Sequence, residues 1–449
     1  MSTTLFPALA AAPKSPLRRG ACPSVAAPMP TGDGLLVRLR PQAAELSPAH
    51  WIAIAALARE HGNGLVEVTA RGNLQVRGLS EETVAPFAAG LDAAGVAIRS
   101  GVAIEVPPLA GLDPSEIADA TPLAERITRM IAAGRQALRL APKLAVVVDG
   151  GGVLNLHDMV ADIRLDAVHR AGEVRWRIAI AGDASSAAPI ACLPGDAAAD
   201  AVLRLLRELA ALGPAARGRD LRAAGVPPFT DDGGDTVGRA KAPVGLLDIG
   251  NGPVLGLRLP YGKVHADQLE GLMHDLARRG ARAVRLAPHR ALLVLGIAAE
   301  TAGDALRSAG QHGFWTDPDA PGNAISACAG SAGCAAARLD THAVADALIA
   351  AAPGLFDGSA AIHVSGCTKG CAHPAAAPLT IVGTGDGAAL VIAGRAGDDR
   401  ASLAARDLPA ALTGIGALVA SEGRRGETAR TLLERLGRDR LLSAFQGRT

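Results

Sequence analysis

The chain has 449 residues, with 45 Lys and Arg against 44 Asp and Glu for a net charge of +1; 49% of its residues are hydrophobic and 2% aromatic. That length exceeds what one ordinary core supports, so two or three domains, or two copies of one unit, are expected. A near-neutral chain without long charge runs excludes a general nucleic-acid binder, which needs many phosphate contacts, and with no run of about 18 uncharged apolar residues a membrane span is not expected.

Residues 1–20 carry no basic stretch ahead of an apolar core, so they read as a disordered tail rather than a signal peptide, and a cytoplasmic protein is expected. A first unit over 21–105 holds a strand near 32–41, a helix near 48–61, a strand over 64–79 and a helix near 81–94. A second unit over 106–235 holds a helix near 116–136 and strands at 143–150 and 173–182. Its end, 214–243, is rich in Gly, Pro, Arg and Asp and reads as a linker, with the run 231–235 as a loop. A third unit over 236–312 repeats the first: strand 252–262, helix 265–279, strand 281–297, helix 300–312. A fourth over 313–449 holds a helix near 338–351, strands 360–366 and 378–383, and two C-terminal helices. The shared order points to an internal duplication with copies roughly 220 residues apart.

Six cysteines in 449 residues are no disulfide framework, and four of them cluster. Cys328 and Cys334 enclose five residues, and Cys367 and Cys371 enclose three. A cuboidal iron–sulfur cluster needs four thiolates, one per iron, and two loops of two cysteines can wrap it. Gly330, Gly333, Gly366 and Gly370 let backbone amides approach sulfur. Structural zinc sites usually space their cysteines more tightly than the first pair. Cys192 reads as inert and Cys22 as a core-packing residue.

The stretch from Glu67 to Arg77 alternates. Glu67, Thr69, Arg71, Asn73, Gln75 and Arg77 share one face, and Val66, Val68, Ala70, Leu74 and Val76 the other. Arginine grips carboxylates at two points, so this face suits a polycarboxylate ligand. The matching strand of the second copy offers His289 and Arg290. Gly383, Gly385 and Gly387 lack the spacing and following helix of a dinucleotide site, and Asp386-Gly387 reads as a hairpin turn. Electrons are therefore expected from a separate reductase or ferredoxin-like partner.

Together these residues resemble the sulfite and nitrite reductase family, over about 25–440. Its first-half sirohaem strand, T-x-R-x-x-x-Q, is matched by Thr69, Arg71 and Gln75. A Pro-Lys phrase opening a strand is matched at Pro142 and Lys143, and Asn155 to Met159 also resembles that family. The resemblance implies an α+β fold with duplicated architecture: two ferredoxin-like half domains (21–105 and 236–312) plus two α/β tetrapyrrole- and cluster-binding domains (106–235 and 313–449). It also implies a 4Fe-4S cluster on Cys328, Cys334, Cys367 and Cys371. Three departures lean toward the family's cobalamin-pathway branch, which oxygenates a tetrapyrrole. Lys369 and His373 replace residues typical of the reductases, Ala145 stands where they place a second lysine, and the opening Cys22-Pro23, Pro28-Met29 and Gly32 to Leu36 is similar to that branch. That likeness implies a precorrin substrate, dioxygen, NADH as ultimate donor and a mononuclear non-haem iron, with sirohaem as the alternative cofactor. Thr69, Arg71, Gln75, Arg77, His289 and Arg290, helped by Lys143 and Lys369, are then the candidates for the substrate's carboxylates. His157, His363 and His373 are candidate iron ligands, although no two-His-one-carboxylate spacing is present. Cys371 is the cysteine expected to face the substrate or second iron.

Overall fold

The computed structural model describes residues 23–134, 138–223, 229, 240–385, 387–398, 401–404 and 407–447. Cys22, the run 231–235 and Asp386 lie outside them.

The described residues form four five-stranded sheets. The first half-domain contributes β1 (Met29–Thr31), β2 (Gly34–Leu39), β3 (Glu45–Leu46), β4 (Leu65–Val68) and β5 (Leu74–Leu79). The first α/β layer has β6 (Ala103–Glu105), β7 (Ala145–Asp149), β8 (Ala161–Arg170), β9 (Glu173–Gly182) and β10 (Ala188–Leu193). The second half-domain gives β11 (Gly245–Asp248), β12 (Pro253–Arg258), β13 (Lys263–His265), β14 (Ala283–Ala287) and β15 (Ala291–Leu295). The last layer has β16 (Ile325–Ala327), β17 (Ile362–Ser365), β18 (Ala377–Gly383), β19 (Gly387–Gly394) and β20 (Ala401–Ala404).

The stretch 64–79 is not one strand. β4 and β5 form a hairpin, closed by Gly72 N–H to Thr69 O (2.9 Å) and by Thr69 Oγ1 accepting from the Asn73 N–H (3.0 Å). Gly72 permits the bend with φ +75°, and a Cβ there would stand 2.9 Å from the Ala287 carbonyl carbon. The stretch 281–297 is likewise a hairpin, β14 and β15, turned through His289 and Arg290 at φ 62° and 65°. The two tips meet, His289 N–H donating to Ala70 O at 2.9 Å. Alternation survives the turn because Glu67 pairs with Gln75 across the hairpin, which keeps both on one face.

Each half-domain backs its sheet with two helices. Ser47 caps the helix Pro48–His61, its Oγ accepting from the His50 N–H, and Pro48 suits the first turn. Trp51, Ile54, Ala55 and Ala58 line one face at helical spacing. The helix Ala266–Arg278 presents Leu269, Leu272, Met273 and Leu276. Both faces enter one core shared by the two half-domains. The halves also exchange strands: β13 pairs with β4, and β3 pairs with β14. Periodicity along the chain carries no sign of this exchange.

The α/β sheets share one topology, in order β6-β7-β8-β9-β10 and β16-β17-β18-β19-β20, with the first three strands parallel and the last two antiparallel additions. Helices Thr121–Ala132 and Gly195–Leu212 pack on the first; Thr341–Ala351, Leu408–Glu422 and Ala429–Phe445 pack on the second. Carboxyl ends of neighbouring parallel strands form a crevice where ligands commonly bind. No described helix is long and apolar enough to cross a membrane.

Candidate cluster and substrate site

β16 and β17 run parallel with Ala327 opposite Val364, so Cys328 and Gly366-Cys367 leave the sheet side by side. The Gly366 N–H donates to Cys328 Sγ at 3.2 Å. One short helical turn, Gly330–Gly333, carries the chain to Cys334, and the Ala337 N–H closes the next turn on Cys334 O at 2.9 Å. In the second loop the Lys369 N–H points at the Cys367 thiol, and Gly370 turns the chain with φ +61°. Burial pushes the Cys367 and Cys371 thiols above the ordinary range, and the other cysteines push them further. All four are free thiols.

Three half-buried thiols and the exposed Cys371, with backbone amides aimed at Cys328 and Cys367, make a donor set that could hold an iron–sulfur cluster. Among the described residues, no three His, Cys, Asp or Glu side chains converge closely enough to hold a single metal ion. The four cysteines are the residues that could hold a larger group, one sulfur per iron. The three candidate iron-ligand histidines come from both α/β layers. His363 and His373 are neighbours, with ring centroids 5.6 Å apart, but His157 belongs to the loop after β7 in the other α/β layer. His363 is fully buried, neither ring nitrogen has a partner, and burial drives its pKa down to about 4.

The eight candidate substrate residues divide. Lys143, from the first half, and Lys369 both lie near enough to Cys371 to favour its thiolate. Arg71 crosses to the first α/β layer and donates to Val160 O at 2.9 Å. Desolvation lowers the Arg71 pKa, opposed by Glu105 and Asp162, although the side chain is exposed. Beside it Val160 is 58% exposed. Arg290 is buried, its pKa lowered by desolvation and opposed by Glu67, and its charge reaches His363 and His342.

The other members of the strand have protein partners. Thr69 closes the hairpin. Gln75 is buried, and with its amide in the orientation that satisfies both neighbours it donates to Glu67 Oε2 (3.0 Å) and accepts from Arg38 (2.9 Å). Arg77 is 3% exposed; it grips Asp33 at two points (2.7 and 2.9 Å), meets Glu67 at 3.4 Å and donates to Gly333 O between the first cysteines. Gln75 and Arg77 thus belong to the wall of the site, contrary to the expectation of an open carboxylate-binding face. The cause is the neighbouring β1–β2 turn, where a Cβ on Gly32 would stand 2.5 Å from Ala335 N. Sequence reasoning missed Asp33, Lys263 and His342 as neighbours of the cysteine loop. Each comes from a different element, and only the opening phrase around Asp33 carries any signal.

A family model for the nitrite/sulfite reductase ferredoxin-like half domain matches residues 27–94. The fold is also that of the structure of Mycobacterium tuberculosis NirA protein, at TM-score 0.71 and 17% identity over 91% of this chain and 84% of that one. A ferredoxin–nitrite reductase of Synechococcus elongatus is 24% identical over 79% of this chain and 77% of its own length. Fold and paired half-domains thus place the protein in the sulfite and nitrite reductase class. A precorrin-3B synthase of Sinorhizobium sp is 43% identical over 436 residues, covering 96% of this chain and 95% of that protein. Within the class, the chain belongs to the precorrin-3B synthase family.

Proposed function

We propose that the chain converts precorrin-3A to precorrin-3B in aerobic cobalamin biosynthesis. One atom of dioxygen becomes the C20 hydroxyl, an acetate of ring A closes a γ-lactone, and the other atom leaves as water. NADH is the ultimate donor, through a separate reductase or ferredoxin-like protein. The observation that carries this reading is the near full-length likeness to a precorrin-3B synthase. The setting of Cys371 supports it, because Lys143 from the first half and Lys369 from the second both lie near enough to favour its thiolate.

A 4Fe-4S cluster on Cys328, Cys334, Cys367 and Cys371 would supply electrons one at a time when bound. A mononuclear non-haem iron is expected from the resemblance, with His157, His363 and His373 as its candidate ligands. Arg71, Lys143, Lys369 and Arg290 bind and orient the carboxylate arms of the macrocycle, with His289 at the adjoining hairpin tip. Val160 supports the apolar ring system and excludes water from it. His363 stays neutral at physiological pH and adds no competing charge beneath the loop.

The test is to incubate anaerobically purified protein with precorrin-3A, a reductant and labelled dioxygen. The expected result is one labelled atom in a hydroxylactone. Sulfite or nitrite turnover with a tightly held green haem, and no such product, would overturn the reading in favour of a sirohaem reductase.

A further inference from the structure

The strand exchange places matching cross-strand pairs at the two junctions between the half-domains. At one, Lys263 on β13 stands opposite Glu67 on β4, with Nζ 3.7 Å from the carboxylate. At the other, Arg285 on β14 stands opposite Glu45 on β3, with NH2 2.8 Å away. Each cation also reaches into an α/β layer, to the loop that follows its first parallel strand. Lys263 Nζ donates to Ala329 O at 3.0 Å, in the loop after β16; Arg285 NH1 donates to Pro108 O at 3.0 Å, in the loop after β6. The two junctions are the same device in two copies, with acid and base exchanged between the strands. In the cluster half it is reinforced. Arg77 donates to Gly333 O, and Glu67 lies between Arg77 and Lys263.

Both carbonyls lie between Cys328 and Cys334, and the Lys263 side chain is only 12% exposed. A buried ammonium held by one carboxylate and one carbonyl fixes the loop's path. We propose that Lys263, with Arg77, is a positioning residue for the iron–sulfur cluster: a clamp from both half-domains that holds the Cys328–Cys334 loop in its ligating shape. The proposal rests on the reading that these cysteines bind a cluster. Its counterpart Arg285 does the same mechanical work where no cluster is bound.

The experiment compares full-length wild type, Lys263→Met, Lys263→Gln, Lys263→Arg and Arg285→Met, purified anaerobically. It measures iron and sulfide per chain, the rate of cluster bleaching in air, the melting temperature, and amide hydrogen exchange over 328–337 in metal-free protein. Lys263→Met should bleach at least fivefold faster and exchange at least tenfold faster over that loop. Lys263→Gln, which keeps an N–H donor, should fall between, and Lys263→Arg should recover most of the loss. Arg285→Met should lower the melting temperature with cluster lifetime within twofold of wild type. Equal bleaching and exchange in wild type and both neutral variants, or equal cluster loss in Arg285→Met, would overturn the clamp. Wild type without iron and sulfide would overturn the cluster reading alone, because the exchange measurement still decides the clamp.

Discussion

The loops that follow β7 and β17 occupy the same place in the same topology, and they are held by opposite chemistry. Asp149, the last residue of β7, stands opposite Asp166 on β8; Ser365, the last residue of β17, stands opposite Val382 on β18. Around Asp149 the holding group is Arg164, 1% exposed. It donates to Asp149 (2.9 Å), Asp166 (2.7 Å), Leu156 O (2.9 Å) and Met159 O (3.3 Å), tying loop to strand with every partner inside the protein. Around Ser365 there are small neutral hydroxyls. Ser365 Oγ donates to Cys367 O at 2.7 Å, and Thr380 holds the position on β18 that Arg164 holds on β8. A duplicated scaffold therefore closes one loop with a buried ion-pair network. In the other it leaves the closing to four thiols and whatever they bind. A carboxylate among those thiols would add like charge where the sulfurs already repel.

Changes confined to one loop break the comparison most directly. Cys367→Ser should abolish nearly all bound iron and sulfide, read by metal analysis and the reduced-state paramagnetic spectrum. Full retention of both would remove the distinction between the loops. Arg164→Leu should cost about 3–5 kcal/mol in denaturant unfolding, because Asp149 is left buried without its cation. Iron per folded chain should stay unchanged, since the cluster layer has its own core.

A pH series sharpens the same contrast. Burial raises the Glu116 pKa from 4.5 to about 7, opposed by the Gly111 N–H and aided by Asp119, Asp113 and Asp149, and its Oε1 has no hydrogen-bond partner. The folded state therefore holds this proton more tightly than the unfolded chain. Stability from the neutral acid is complete below about pH 4.5 and is lost as pH rises through about 7. Glu116→Gln should flatten that decline and stabilise the protein at pH 8 by on the order of 2 kcal/mol. A melting profile as steep as wild type would contradict this. The smallest effect belongs to the cluster half's surface. Arg440 and Glu422 pair at 2.5 Å but remain open to solvent, so Arg440→Ala should leave both melting temperature and iron content unchanged within error.

Much of this is legible in the chain. The helices Pro48–His61 and Thr341–Ala351 and the strand β9 lie where periodicity and caps put them. Two expectations fail for one reason. The alternation of 67–77 runs unbroken through a turn that Gly72 makes possible, and Arg77 reads as open because the groups that cover it, Asp33 and Gly333, lie on other segments.

Local spacing alone singled out Cys328, Cys334, Cys367 and Cys371 as one set, because thiols are rare in this chain, and the parallel pairing of β16 with β17 brings their two loops to one edge of the sheet. The repeat of one strand-and-helix order likewise declared the duplication. The tertiary structure decided which cations face the sulfurs and which are spent holding the scaffold. Lys263 and Ala329 are 66 residues apart, and Arg77 and Gly333 are 256 apart. No periodicity spans such distances, so only the exchange of strands between the halves could bring them into contact.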